Sequence, residues 1–136
     1  MTDRPLHEIV NDIAATTVKI GEINLGKYFL YVEFAPGVIG PDLFQDVGDH
    51  LSWLKTRPLT DLLFEMNYLA DPRPIGAFAL DIDGEQFKAA FNYDVELLEG
   101  TEERMLAAVK ARFGDKPIVY PPPRSMQERF AAGEFG

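Results

Sequence analysis

Asp81, Asp83, Gly84 and Glu85 fall within five consecutive residues, and oxygen ligands crowded around a glycine are what a calcium loop uses. An EF-hand loop needs such oxygens at its first and last positions, with the glycine midway between them. With Gly84 as that glycine, the first position falls on Ala79 and the last on Ala90, and neither methyl group can ligate. The flanks FALDI and FKAAF alternate with the period of strands, so the stretch reads as a β-hairpin. Taking Asp83-Gly84 as a two-residue turn sets Ile82 opposite Glu85, Leu80 opposite Phe87 and Phe78 opposite Ala89. Phe78, Leu80, Ile82, Phe87, Phe91 and Tyr93 then share an apolar face. Asp81, Asp83, Gln86, Lys88, Asn92 and Asp94 share the polar one, and Glu85 alone breaks the pattern, at the tip.

The other chemistry-bearing residues assemble nothing stronger. His50 lies near Asp46 and Asp49, at offsets that bring imidazole and carboxylates together on a helix, but a solvated helix face explains them as well. His7 stands beside Glu8 on a polar helix face. Ser52 and Ser125 lack the glycine-flanked elbow of a serine hydrolase, and no phosphate-cradling glycine motif occurs. Carboxylate pairs such as Glu102 with Glu103 suit a helix start better than glycosidase chemistry. No catalytic residue, metal site or cofactor is expected.

Charge narrows the partners. Thirteen Lys and Arg against 22 Asp and Glu leave a formal net charge of -9. No basic cluster is present to displace counterions from a phosphate backbone, which argues against nucleic acid. The same balance favours a basic protein partner, or simply keeps the chain soluble. With no cysteine there is no disulfide frame and no thiolate chemistry. No apolar run is long enough to span a bilayer, and the N-terminus MTDRPLHEIVNDI resembles neither a secretory signal nor a transit peptide. A cytoplasmic protein is expected.

The elements that must position these residues follow from their periods. Leu6, Ile9, Val10, Ile13 and Thr17 mark a first helix, with Asp3 as cap, Pro5 in its first turn and Gly21 as its stop. KYFLYVEF reads as a strand. Residues 35–50 stay open between a helix along Leu43, Phe44, Val47, Leu51 and Leu54 and a short strand pair punctuated by Gly and Pro. TDLLFEMNYL reads as a helix turned inward through Leu62, Leu63, Met66 and Leu69, ended by Asp71-Pro72 and Pro74. TEERMLAAVKARFG is the clearest helix, capped by Thr101, apolar along Met105, Leu106, Val109 and Phe113, and stopped by Gly114. A proline-rich spacer at 121–123 leads to a short helix from Ser125. The expectation is an α+β fold, a small antiparallel sheet with helices packed on one side. Its order is α-β-(β)-α-β-β-α, in one domain over residues 1–120 with a tail at 121–136.

On the strand, Phe29 and Tyr31 share a face with Lys27 and Glu33. A sheet covered on both sides makes those rings core, and a sheet open on one side makes them interface anchors. Lys27 to Glu33, the tip Gly84 and the ending Phe91, Tyr93 and Asp94 resemble motifs of bacterial immunity proteins of the YezG-like type. Those proteins bind a cognate toxin, in many cases a basic nuclease, and block it without catalysis. MNYLADPRPIGAFALDIDGEQF followed by TEERMLAAVKARF is similar to type III secretion chaperones and YbjN-like proteins, which are small, acidic and usually dimeric. The expected function is therefore non-catalytic protein binding, as an immunity protein or alternatively as a chaperone, with a homodimer left open. The expected partner-binding residues are Phe29, Tyr31, Glu33, Asp81, Asp83, Asn92 and Asp94.

Overall fold

A computed structural model describes residues 5–21, 26–35, 37–69, 75–93 and 101–120, with the side chains of Leu69 and Thr101 outside the description. Helix α1 (Leu6–Gly21) begins on the Pro5 carbonyl, which accepts hydrogen bonds from the Glu8 and Ile9 amides. Its stripe of Ile9, Val10, Ile13, Ala14 and Thr17 is buried, as the spacing predicts. Strands β1 (Lys27–Ala35), β2 (Val38–Asp46) and β3 (Leu51–Leu54) follow as an antiparallel meander. A short 3-10 turn (Arg57–Leu59) leads into α2 (Thr60–Leu69). The hairpin of β4 (Ala77–Asp83) and β5 (Gln86–Asn92) precedes α3 (Thr101–Phe113) and the two-residue β6 (Ile118–Val119).

The open question at 35–50 is settled as strands. Gly37 (φ 72°) and Gly48 (φ 109°) sit in the two turns, in the left-handed region where side-chain-bearing residues are disfavoured. The Gly48 amide also donates to Asp46 Oδ1, which fastens the second turn. Leu43 and Phe44, neighbours on a helix face in the alternative, here point to opposite faces of one strand.

Among the described residues six strands form one sheet in the order β5-β4-β1-β2-β3-β6, antiparallel except for the β3–β6 pair. The α+β class holds, while the arrangement of helices differs from one-sided packing. α1 and α2 cover the face that carries Tyr28, Leu30, Val32, Leu43, Phe78 and Leu80. α3 covers the other face, where Met105 and Val109 pack on Phe29, Tyr31, Phe44 and Leu51. The two-sided apolar character of β1 is the physical reason: both of its faces need cover. Leu106, expected inward, is 41% exposed, because α3 lands on the Met105–Val109–Phe113 stripe beside it.

The hairpin register also differs. Phe78 pairs with Phe91, Leu80 with Ala89, Ile82 with Phe87 and Asp83 with Gln86, so the turn is Gly84-Glu85. Gly84 has φ 64°, as the first central position of a two-residue hairpin turn requires. This shift of two residues leaves every side chain on its expected face and moves Glu85 into the turn, which removes the exception. Gly21 does end α1, but its φ is not in the left-handed region. A Cβ there would overlap the Tyr28 ring, so close packing is what requires glycine. Gly114 (φ 67°) is the left-handed stop expected, its amide bonding to the Lys110 carbonyl. Asp3, Asp71, Pro72, Pro74, the Thr101 side chain and the tail at 121–136 lie outside the described residues.

Candidate partner-binding surface

The described members of the expected binding set, Phe29, Tyr31, Glu33, Asp81, Asp83 and Asn92, lie on one face of the sheet, the face under α3. In the β1–β4 register Phe29 stands opposite Asp81 and Lys27 opposite Asp83, which places strand and hairpin residues side by side. α3 then divides them. Phe29 is fully buried, with Phe113 edge-on at 6.4 Å and the Arg112 guanidinium 4.2 Å from its ring centre. Tyr31 and Glu33 are buried as well. The branch in which these rings are exposed anchors is corrected: an amphipathic helix covers them, and both are core.

Glu33 is 3% exposed and its carboxylate is satisfied on both oxygens. Arg104 donates through Nε to Oε2 and through Nη2 to Oε1, each at 2.8 Å, and the Tyr31 hydroxyl donates to Oε2 at 2.6 Å. A buried carboxylate tolerates its position when paired and hydrogen-bonded in this way. Burial, and next the hydrogen bond to Glu33, push the Tyr31 phenol far above its ordinary value, so it remains a neutral donor. The Glu33 hydrogen bond raises Arg104 in turn.

Two further cations fasten the same side. Arg112 Nε donates to Asp81 Oδ1 at 2.7 Å, and Lys116, just past α3, donates to Asp46 Oδ1 at 2.8 Å. The Lys116 bond is the main reason the Asp46 carboxyl lies below the usual range. Asp42 is different. It accepts a hydrogen bond from Trp53 Nε1 at 3.0 Å, yet burial, reinforced by Glu102 and Glu33, raises its carboxyl above the usual value.

The hairpin beyond α3 is open. Asp83, Gln86, Lys88, Ala90 and Asn92 are exposed on the α3 side, and Asp81 is half-exposed in its ion pair. On the opposite side Phe87 is 44% and Tyr93 41% exposed, and Tyr93 stacks on half-buried Phe91. A groove of about 320 Å³ runs between α1 and the hairpin, lined by Asn11, Ala14, Ala15, Val18, Ile82 and Phe87. Of the expected set, then, Asp81, Asp83 and Asn92 stand together on the open hairpin, and Asp94 lies outside the described residues. His50 is bonded to Asp49 at 2.6 Å, in the β2–β3 turn and not on a helix, and Asp46 turns to Lys116 instead. Among the described residues no cluster of His, Asp or Glu is arranged to hold a metal ion.

Sequence reasoning gave Arg104 and Arg112 no partner, and it placed Phe87 on the apolar face of the hairpin without marking it as exposed. The two arginines flank the buried Met105 and Val109 on α3, a charged border to the apolar stripe that was readable beside two strand acids. No helix among the described residues is long and apolar enough to cross a membrane. The chain matches no protein-family model and no curated protein.

Proposed function

We propose that the chain is a non-catalytic protein-binding module for a basic partner, with the open β4–β5 hairpin as its working surface. One contrast supports the reading. Glu33, Asp81 and Asp46 are each closed by a cation from α3 or just after it, whereas Asp83, Gln86, Lys88 and Asn92 line an exposed face. Acids spent on holding a helix serve the fold, and the polar face outside the helix is what remains to meet a partner.

In its first form the module is an immunity protein of the cytoplasm that neutralises a basic toxin by direct binding. A second form, an acidic chaperone like those of type III secretion or the YbjN-like proteins, draws on one observation. The last helix among the described residues, α3, follows the hairpin in the order that resemblance implies, and it packs as the second core layer. Co-expression with the products of the neighbouring genes separates the two. Rescue of growth from a toxic neighbour supports immunity, and solubilisation of a secreted neighbour supports the chaperone. If neither product binds the purified chain, the binding reading fails.

A further inference from the structure

Among the described residues, strand β5 is the long edge strand of the sheet, with β4 beside it and no strand beyond. The opposite edge, β6, has only two residues, a length that itself discourages pairing. The hydrogen bond from the Gly76 amide to the Asn92 carbonyl turns Asn92 toward β4. Because backbone groups alternate along an antiparallel strand, Gln86, Lys88 and Ala90 turn inward with it. Phe87, Ala89 and Phe91 therefore present their amides and carbonyls outward.

We propose that two copies of this chain pair through β5, antiparallel about a two-fold axis at Ala89, an assembly that goes beyond the binding role described above. This register pairs the whole strand and sets outward residue against outward residue. Ala89 meets Ala89 of the second copy and Phe87 meets its Phe91, for about six backbone hydrogen bonds, two in each of the three outward cross-strand pairs. On the α1 side two Phe87–Phe91 pairs flank a centre of small alanines, a favoured cross-strand arrangement. One step further, Tyr93 of the second copy arrives opposite Glu85, at the groove lined by Ala14, Ala15, Val18 and Phe87. On the α3 side Lys88 falls opposite Ala90, and Gln86 opposite Asn92.

Charge selects a second copy over an arbitrary strand. For a chain of net charge -9 most approaches bring acid against acid. The segment QFKAAFN carries one charge, Lys88, which stands across β4–β5 from Asp81 of its own chain. Two such strands meet without an opposed like-charge pair, and reading the segment in reverse places aromatic against aromatic and amide against amide. The product is one continuous sheet whose two polar hairpin faces adjoin, with an α3 on either side.

The test uses the full chain, whose lack of cysteine makes single-cysteine variants clean. Sedimentation of the wild type should give the mass of two chains. Ala89→Pro removes only an outward amide and should reduce the mass to one chain with the circular dichroism unchanged. Under mild oxidation Ala89→Cys should cross-link to a covalent dimer, whereas Ala90→Cys, facing Lys88 of the second copy, should not. A single-chain mass at all concentrations, a closed assembly larger than two, or cross-linking of Ala90→Cys as readily as Ala89→Cys overturns the proposal. If Ala89→Pro unfolds, the cysteine pair alone decides. A monomer that still binds its neighbour removes the dimer and leaves the binding role; a dimer that binds no neighbour does the reverse.

Discussion

Arg104 on α3 grips Glu33 on β1 with two parallel hydrogen bonds of 2.8 Å, across 71 residues of sequence. The pair is lopsided: the Glu33 side chain is 2% exposed and that of Arg104 35%. Removing the arginine strands a buried carboxylate, while removing the acid leaves a guanidinium that water can reach. Arg104→Met should therefore lower Tm more than Glu33→Gln. The double variant should lose less than the sum of the two, measured as a double-mutant cycle by thermal unfolding.

Phe29 and Tyr31 lie in the core, and their variants should behave accordingly. Phe29→Ala should cost about 3–5 kcal/mol in denaturant unfolding, the range for deleting a buried aromatic ring. Tyr31→Phe removes only the hydroxyl bond to Glu33 and should cost about 1.5–3 kcal/mol, as for hydrogen bonds to charged groups. If either ring can be deleted with stability intact, α3 does not cover it as described.

Asp46 and Asp42 should respond oppositely to acid. The folded carboxyl of Asp46 lies below its unfolded value, so it stabilises above the ordinary carboxylate range and loses that contribution as pH falls through its folded pKa. Asp42 lies above its unfolded value, so its ionised form costs stability at neutral pH, and acid relieves that cost. Asp46→Asn should lower Tm at neutral pH and converge on the wild type as pH falls below the depressed pKa of the folded carboxyl. Asp42→Asn can keep the Trp53 hydrogen bond and should match or exceed the wild-type Tm at neutral pH, with the gap closing in acid.

Thr17 is fully buried on α1, and its hydroxyl has no hydrogen-bond partner among the described residues. Valine keeps the shape and removes the unpaired group, so Thr17→Val should raise stability by about 1 kcal/mol, measured by urea unfolding. An unchanged or lower stability would mean that the hydroxyl is satisfied.

The elements legible in the sequence were those with an unbroken period. α1, α3 and the hairpin faces stood out because one stripe or one alternation ran their length, and even a two-residue register shift kept Phe78, Leu80 and Ile82 on the apolar side. Residues 35–50 were not legible, because Gly37, Gly40, Pro41 and Gly48 interrupt any pattern and only sheet pairing chooses between strand and helix. The cover over Phe29 and Tyr31 is a tertiary fact. β1 showed apolar residues on both faces, which called for a second layer, but not which helix would supply it. The arginines bordering the α3 stripe were readable, but which acids Arg104 and Arg112 reach was not, because each ion pair joins segments far apart in the chain.

The central claim, that a partner meets the open face of the β4–β5 hairpin, is tested most directly by titrating a purified neighbouring gene product into the chain by calorimetry. Asp83→Lys combined with Asn92→Arg removes the acid of that face and makes the face strongly positive without touching the core. The account predicts that Kd rises at least about tenfold, about 1.4 kcal/mol, while Tyr31→Phe binds like the wild type. A doubly substituted hairpin that binds with unchanged Kd would contradict it.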